Sequence, residues 1–583
     1  MTLQAIETVP AETGPKEHLV FARSPLILLF LVLLCLPLAL AGTLAMPVGP
    51  MFWDHYIYLD AANRIFDGQI PSVDFFAPVG GLGYYLFAGW LYVFPKGHPL
   101  LLSSWSLLAV TAPLMALIVW NIRKRSAALA YGVLLPFLLF SVLPFNTGDF
   151  YPYPGSDGFG IYNRQICQLL YVLSAALVFM RGWKTLAAVT AVAMLGLFFT
   201  KITGVAAGTI LCLMAFVAGR LSFRAAILAG LGFLASIALL EGSSGAVSAY
   251  LSDILSLLAI NDSSLLPRLL QAASLNFGIV LSTVLLGLWL FVIGFGRFRA
   301  DMVAFMAKPG FGRFADIADQ PFIWLAAFLI AGLVFESQNT GSQAFIFLWP
   351  LLLAILLESY RRCGASRRFA AILVLAMAAS LPPAVVVVQK AARAWVGSLS
   401  YQALENRNLK NLGAVRARDI VEIRAGRLRS NYLQYRDTYQ ALATAGELPS
   451  FLLYSDFEFQ ILLLQTMDEA VSALSAFEAA NNVRFETVMT IDFTNPFPWL
   501  MDRHAPKHIA IGADPYRAVP PADADVRASV GAVDIALYPT CPPTTARQAL
   551  LNLYEPILAA GHRRITLTPC FDAFVRKALD PKT

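Results

Sequence analysis

Residues 24–46 read S-P-L-I-L-L-F-L-V-L-L-C-L-P-L-A-L-A-G-T-L-A-M, an apolar run without a charged side chain. A helix needs about 20 mostly apolar residues to cross the hydrocarbon layer of a membrane, and this run is long enough. The run is also longer than the apolar core of a signal peptide, and no convincing small-residue cleavage site follows it. The pattern therefore predicts a retained membrane helix.

Further apolar stretches follow along the chain. They lie at 99–121, 127–144, 165–180, 184–200, 202–219, 223–240, 275–296, 321–335, 343–358 and 369–389. Together with the first run they predict a polytopic α-helical membrane protein with about 11 transmembrane helices. The composition agrees, because 58% of the 583 residues are hydrophobic and 14% are charged. An ordinary soluble domain is about one quarter charged, so the composition excludes a soluble enzyme.

The distribution of Lys and Arg predicts the orientation in the membrane. Basic side chains cluster in the loops at 123–125, 181–184, 220–224, 297–313 and 361–368, whereas Asp and Glu dominate the opposite loops. The basic loops are assigned to the cytoplasm, together with an amino-terminal tail at 1–23. This division requires that residues 80–94 do not cross, so they are predicted to lie in the outer interface. The transmembrane domain is 24–389, with a first periplasmic loop at 47–98.

From residue 390 the composition becomes that of a soluble domain. Short apolar runs typical of strands, at 451–454, 486–491, 508–511, 533–538 and 564–568, alternate with helical patterns at 467–480 and 543–559. Residues 401–440 have a helical, Arg-rich pattern. We expect a periplasmic α/β domain over 390–583. Cys541 and Cys570 both lie in this region; an oxidising compartment would allow a disulfide, and two free thiols remain the alternative.

The first periplasmic loop is the most informative stretch for function. Residues 52–86 read F-W-D-H-Y-I-Y-L-D-A-A-N-R-I-F-D-G-Q-I-P-S-V-D-F-F-A-P-V-G-G-L-G-Y-Y-L, with aspartates set among aromatic side chains. Tyr, Trp and Phe residues favour the headgroup level of a membrane. A carboxylate at that level meets both a lipid-linked substrate and a water-soluble one.

The run D54-x-x-x-Y58-x-x-A61-A62-x-x-I65-x-x-G68-x-x-P71-x-x-D74-F75-x-x-P78 resembles the first loop of bacterial GT-C glycosyltransferases. These integral membrane enzymes, among them the aminoarabinose and lipid A galacturonosyl transferases, use polyprenyl-phosphate sugars. The stretches at 162–165, 198–204, 335–350 and 490–499 also resemble sequences of that family. The chain departs from the family where P78-V-G-G replaces the usual Lys-Pro-Pro.

The resemblance implies that Asp54, just after the first span, is the general base of an inverting sugar transfer. A positioned carboxylate takes the proton of an acceptor hydroxyl as the new bond forms, which is worth roughly 10²–10⁴-fold. The alternative is an interfacial carboxylate that caps or solvates the helix exit. Asp74 is the second catalytic candidate, as a residue that orients the acceptor.

Three cations are candidates for the phosphate of the donor. Lys201 lies between two apolar spans close to the outer surface, where a buried charge is costly unless it has an anionic partner. Snorkelling to the lipid headgroups is the alternative interpretation of this lysine. Arg164, at the outer end of a span, and Arg64, on the loop, are further candidates, and a solvated face is the alternative for Arg64.

The remaining substrate-binding candidates are polar or aromatic residues of the external loops: Tyr58, Asp149, Asp157, Glu336 and Asn339. Asp149 and Asp157 offer two carboxylates to a sugar or a divalent ion, which is too few to predict a metal site. The expected partner is therefore a lipid-linked sugar donor, a polyprenyl phosphate, without an assigned metal.

Two other classes of function remain open. A lipid or glycan transporter would carry charged groups near mid-membrane and broken helices from internal repeats, and neither is evident in the sequence. The second open class is a catalytically inactive scaffold for envelope assembly. The leading hypothesis is a glycosyltransferase of the bacterial inner membrane that acts on a periplasmic lipid or glycan acceptor.

Overall fold

The structure is a computed structural model that describes residues 24–49, 51–77, 79–148, 155–260, 265–339, 341–448 and 456–580. The chain is mostly helical, and a helix overlaps each of the eleven apolar stretches. These helices are α1 Pro25–Leu40, α4 Pro99–Trp105 with α5 Leu108–Arg123, α6 Ala127–Val142, α7 Ile161–Phe179, α8 Trp183–Thr200, α9 Ile202–Val217, α10 Phe223–Ser244, α13 Phe277–Ala307, α15 Pro321–Glu336, α16 Trp349–Cys363 and α17 Arg367–Ser400.

Several of these helices have the length and composition of membrane spans. Within the described ranges, 5 helices are long and apolar enough to cross a membrane. The total rises to 6 when α14 (Phe311–Ala318) and α15, which meet at 74°, are taken as one bent span. The predicted helical membrane class is confirmed in this coarser form, and the number of about 11 crossings stays a prediction.

Helix α7 lies at the centre of the helical bundle. It is buried along almost its whole length and packs against α5, α8, α9 and α16. Two of its buried side-chain amides donate to backbone oxygens of neighbouring helices: Gln165 to the carbonyl of Ser103 at 2.9 Å, and Gln168 to that of Phe140 at 3.2 Å. Helices α10 and α13 instead expose most of their apolar side chains, as expected for surfaces that contact lipid.

Four helices lie in loops between the predicted spans. Helix α2 (Trp53–Phe66) forms the first part of the 47–98 loop, and α3 (Leu82–Val93) occupies the stretch predicted to lie in the outer interface. Helices α11 (Ala246–Ile260) and α12 (Leu265–Leu275) lie in a loop for which the sequence predicted no elements.

The carboxyl-terminal region contains two small sheets. Strand β3 (Val415–Ala417) pairs in parallel with β1 (Met46–Pro47) and antiparallel with β2 (Gln402–Ala403). The second sheet has the order β4-β5-β7-β6, in which β4 (Val488–Thr490) and β5 (Ile535–Pro539) are parallel. Strands β6 (His562–Thr568) and β7 (Phe571–Arg576) complete it, with antiparallel pairing. The helices of the carboxyl-terminal region are α18 Asp419–Gln434, α19 Arg436–Ala445, α20 Phe457–Asn481, α21 Phe497–Met501, α22 Ala524–Ala532 and α23 Thr545–Gly561.

The structure corrects several details of the predicted carboxyl-terminal domain. Helix α17 continues through the expected boundary at 390, and residues 401–418 form strands β2 and β3 and a short 3₁₀ turn at Lys410–Gly413 instead of an α-helix. Residues 508–511 do not form a strand, because the backbone N–H groups of His508 and Ile511 donate to the first loop, to the carbonyls of Asp74 and Phe76. Strand β7 was not predicted, and 451–454 lies outside the described residues.

Two covalent or ionic links stabilise this region. Cys541 and Cys570 form a disulfide with their Cα atoms 5.0 Å apart. Asp492 accepts hydrogen bonds from Arg547, at 2.9 Å from Nη2 and 3.1 Å from Nε, in a buried ion pair between the segment after β4 and helix α23. Asp492 is therefore part of the interior of the α/β fold.

Candidate active site

Asp54 lies in the first turn of α2, with 3% of its surface exposed. Its carboxylate Oδ2 accepts a hydrogen bond of 3.2 Å from the backbone N–H of Ile161, the first residue of α7. The backbone N–H of Asp54 donates to the carbonyl of Gly158 at 3.2 Å. The carboxylate therefore faces the amino terminus of the central helix, where the helix dipole favours negative charge.

The turn that precedes α7 requires glycine. Gly160 has φ of +70°, in the left-handed region that residues with a Cβ rarely adopt. A Cβ at this position would lie 2.3 Å from the carbonyl oxygen of Gly341. This close approach brings the segment after α15 against the start of α7, next to Asp54.

The electrostatic environment makes Asp54 a stronger base than an exposed aspartate. Burial raises the pKa of Asp54 from 3.8 to about 6, and the Ile161 N–H and the positive charges of Arg164 and Lys201 only partly offset the desolvation. A carboxylate with a pKa of about 6 is still mostly ionised at neutral pH and accepts a proton more readily than an exposed aspartate.

Lys201 lies in the one-residue break between α8 and α9. Its Nζ donates to Oδ1 of Asn339 at 2.6 Å and lies 4.9 Å from the centre of the Tyr162 ring. Burial lowers the pKa of Lys201 to about 8, although the negative charges of Asp54 and Glu336 oppose this shift. The structure thus places Lys201, Asn339 and Glu336 in one group, beside Asp54.

Arg164 is on the first turn of α7 and has 1% of its surface exposed. Its Nη1 donates to Oδ1 of Asn146 and to the carbonyl of Phe159, both at 2.8 Å. Its Nε and Nη2 are buried and have no hydrogen-bond partner among the residues that the structure describes. A buried polar group without a partner is costly, and an anionic ligand would satisfy these donors.

Tyr58 lies one turn after Asp54 on the same face of α2. Its hydroxyl is 3.5 Å from Oε1 of Gln165, and its ring packs edge-on against Tyr84 and Phe87 of α3 at centroid distances of 5.1 and 5.4 Å. The predicted interfacial segment therefore supports the side chains around Asp54.

Glu336 is the last residue of α15, and its carboxylate is hydrogen-bonded to a neutral hydroxyl group. Its carboxylate accepts from the Ser342 hydroxyl at 2.8 and 3.0 Å. Asn339, three residues later, donates through Nδ2 to the carbonyl of Phe335 and accepts from Lys201 through Oδ1. The segment that follows α15 therefore contacts Lys201 through Asn339.

Two other predicted residues bind the carboxyl-terminal region. Arg64 forms a buried ion pair with Asp60 at 3.0 Å and donates to the carbonyl of Pro506 at 2.6 Å. Asp74 forms an ion pair with Lys507 at 2.9 Å. Burial opposes ionisation of Asp74, but hydrogen bonds from the Ile70 N–H and Lys507 outweigh it and lower the pKa. Both side chains already have partners that join the loop to residues 505–508.

Asp157 also has partners within the protein. It accepts from the backbone N–H of Asn146 at 2.7 Å and forms an ion pair with Lys390 of α17 at 3.3 Å. Its negative charge also acts on Arg164. Asp149 lies outside the described residues, and within the described ranges no group of three His, Cys, Asp or Glu side chains could hold a metal ion.

Sequence reasoning missed two residues that shape this site. Asn146 holds Arg164 through its side chain, and Tyr162 places its ring beside Lys201. Asn146 stands where an apolar stretch ends in an external loop, which is the only sequence signal it gave. Tyr162 belongs to the stretch at 162–165 that resembles the family, but nothing in its spacing indicated a contact with a lysine almost 40 residues away.

No family model and no curated protein matches the chain. Among solved structures, it is similar to ArnT from Cupriavidus metallidurans bound to undecaprenyl phosphate, with 14% identity, a TM-score of 0.39 and coverage of 95% of this chain and 98% of that one. It is also similar to the Archaeoglobus fulgidus oligosaccharyltransferase in complex with Zn and sulfate, with 13% identity, a TM-score of 0.30 and coverage of 93% and 71%. Because these TM-scores are low, the function of this chain is inferred from its own residues.

Proposed function

We propose that this chain is a GT-C-type glycosyltransferase that moves a sugar from a polyprenyl phosphate to a periplasmic lipid or glycan acceptor. The observation that carries the proposal is the buried carboxylate of Asp54 beside two cations, the buried Arg164 and the half-buried Lys201. The resemblance of the first loop to the GT-C family supports the same assignment.

Asp54 is the proposed general base. A neutral hydroxyl is a poor nucleophile, and a carboxylate with a pKa of about 6 removes its proton more effectively than an ordinary aspartate. Hydrogen bonds from the backbone N–H groups of Ile161 and Gly160 stabilise the ionised carboxylate and hold it at the start of α7.

Arg164 and Lys201 are the proposed contacts of the donor phosphate. The unpartnered Nε and Nη2 of Arg164 form two adjacent donors, the arrangement that binds phosphate oxygens in pairs. Lys201 supplies a second positive charge, which also acts on Asp54. These cations stabilise the charge that develops on the leaving phosphate.

The reaction is a single displacement. The acceptor oxygen forms a bond to the anomeric carbon while the bond from that carbon to the phosphate oxygen breaks. The electron pair of the broken bond stays on the polyprenyl phosphate, and the acceptor proton moves to Asp54. Attack on the face opposite the leaving group inverts the anomeric centre. With the predicted orientation, this site faces the periplasm from the bacterial inner membrane.

A transfer assay with the purified full chain tests the proposal. The donors are radiolabelled polyprenyl-phosphate sugars, and a lipid and glycan extract of the source membranes supplies the acceptor. Wild type is compared with Asp54→Asn and with Asp67→Asn, a control from the same loop whose exposed carboxylate contacts His504 at 2.9 Å. We expect a loss of roughly 10²–10⁴-fold for Asp54→Asn and near-normal transfer for Asp67→Asn.

Full activity of Asp54→Asn would overturn the assignment of the base and make Asp74 the next candidate. Failure of wild type to transfer any of the sugars would overturn the glycosyltransferase assignment. Movement of intact lipid-linked sugar between leaflets, without transfer, would instead favour the transporter.

A further inference from the structure

An open cavity of about 190 Å³ lies on the outer face of the protein, where the first loop, helix α11 and the carboxyl-terminal region meet. Ser72–Phe76 of the loop form one wall, Asp253 of α11 a second, and residues 508–526 a third. A water molecule takes up about 30 Å³ in the liquid, so the cavity has room for a sugar ring rather than a single ion.

Hydrogen bonds link the cavity directly to the proposed site of reaction. Tyr250 and Asp253 are three residues apart on α11, which places them on one face about one turn apart. The Tyr250 hydroxyl accepts from the N–H of Ile202, next to Lys201, at 3.1 Å. Asp253 lines the cavity and accepts from the N–H of Ala77 at 3.2 Å. One turn of helix rises about 5.4 Å, so neighbouring turns of α11 contact the cavity and the break that carries Lys201.

The chemistry of the walls fits a molecule that carries hydroxyl groups. The charged side chains that face the cavity include two carboxylates, of Asp253 and Asp523, which would repel a phosphate. Both already accept from neutral backbone donors, Ala77 N–H in one case and Val526 N–H at 2.8 Å in the other. Their remaining lone pairs suit neutral hydroxyl donors.

The rest of the lining supplies flat apolar surface and further polar groups. A sugar ring presents hydroxyls at its edge and C–H groups on its faces, so it suits a pocket with apolar walls and a few placed polar groups. The remaining lining includes Phe76, His508, Pro520, Pro521 and Tyr554.

We propose that this cavity binds a sugar ring of the acceptor glycan and orients it toward Asp54. This inference rests on the proposed function, because it names where the acceptor of that reaction is held.

The transfer assay described above tests the inference when the acceptor extract and the donor are titrated separately. Ala510→Trp places a large side chain at the cavity wall, and Asp253→Asn removes a charge without changing the size of the side chain. Asp525→Asn is the matched control, because Asp525 lies on α22 and does not line the cavity. We expect Ala510→Trp and Asp253→Asn to raise the acceptor concentration for half-maximal rate at least tenfold, with the half-saturating donor concentration unchanged.

The possible results distinguish failure of this inference from failure of the proposed function. If both variants reach half-maximal rate at the same acceptor concentration as wild type, the acceptor site is overturned. The proposed function stands in that case, provided that wild type transfers the sugar. An equal loss of donor and acceptor binding would also overturn it, because the change would then be structural. Absence of transfer by wild type would count against the proposed function itself. Elution of each variant as a single species in detergent shows that it is folded.

Discussion

Replacing Asp54 with Asn is expected to make the protein inactive and more stable at the same time. Burial holds the pKa of Asp54 at about 6, against 3.8 for an unperturbed aspartate. The folded protein therefore disfavours the ionised form, and this difference corresponds to about 3 kcal/mol at pH 7. Asn has no charge to bury and keeps an oxygen that accepts from the Ile161 N–H.

The sign and the pH range of this effect follow from the two pKa values. The folded-state pKa is raised, so the contribution of Asp54 to stability is fully present below about pH 3.8 and is lost as the pH rises through about 6. The advantage of the Asn variant is then largest at pH 7 and above, and falls to roughly half at pH 5.

Thermal unfolding in detergent between pH 5 and pH 8 measures this difference, with Asp67→Asn as the control. We expect the apparent Tm of Asp54→Asn to exceed that of wild type at pH 7.5 and the gap to narrow at pH 5. The same residue gives the wild-type rate a pH dependence, with transfer at pH 5 about tenfold below transfer at pH 7 because the ionised fraction falls. A lower Tm of the Asn variant at pH 7.5, or a gap independent of pH, would refute the reasoning.

Three further predictions concern other parts of the molecule. Lys201→Gln should raise the donor concentration for half-maximal rate at least tenfold, as measured by donor titration, whereas Lys184→Gln, an exposed lysine at the other end of α8, should not. Arg547→Met leaves the buried Asp492 carboxylate without its partner and should cost about 3–5 kcal/mol, seen as a lower Tm, whereas Arg484→Gln, from an exposed pair, should cost about 1 kcal/mol or less. A reporter enzyme fused after residue 448 should be active only in the periplasm, and a cytoplasmic signal would contradict the assignment of the loops.

The positions of the apolar helices could be predicted because each depends on a local run of side chains. Residues 127–144 and 184–200, for example, are apolar enough to specify α6 and α8 without reference to the rest of the chain. Helices α11 and α12 have 15 and 11 residues. They were missed because spans were predicted from apolar runs of about 20 residues, and neither helix forms one.

The residue types of the candidate site could be predicted from the sequence, but the hydrogen-bond and ion-pair partners of the candidate side chains could not. The group of Asp54, Arg164 and Lys201 was among the candidates, because buried charges in an apolar chain are conspicuous. Arg64 and Asp74 had the same appearance in the sequence, yet the structure gives them partners at residues 506 and 507. These pairs join segments more than 400 residues apart, which no local pattern reveals.

The pairing of β1 with β3 has a consequence for how the protein assembles. Strand β1 lies directly after the first membrane helix, whereas β3 is synthesised only after the last one. Closing so long a loop costs conformational entropy, although this cost grows slowly with loop length, and the pair cannot form before residues 415–417 have been synthesised. The segment that follows the first helix, and with it the approach to Asp54, therefore takes up this arrangement only after residue 417 has been synthesised.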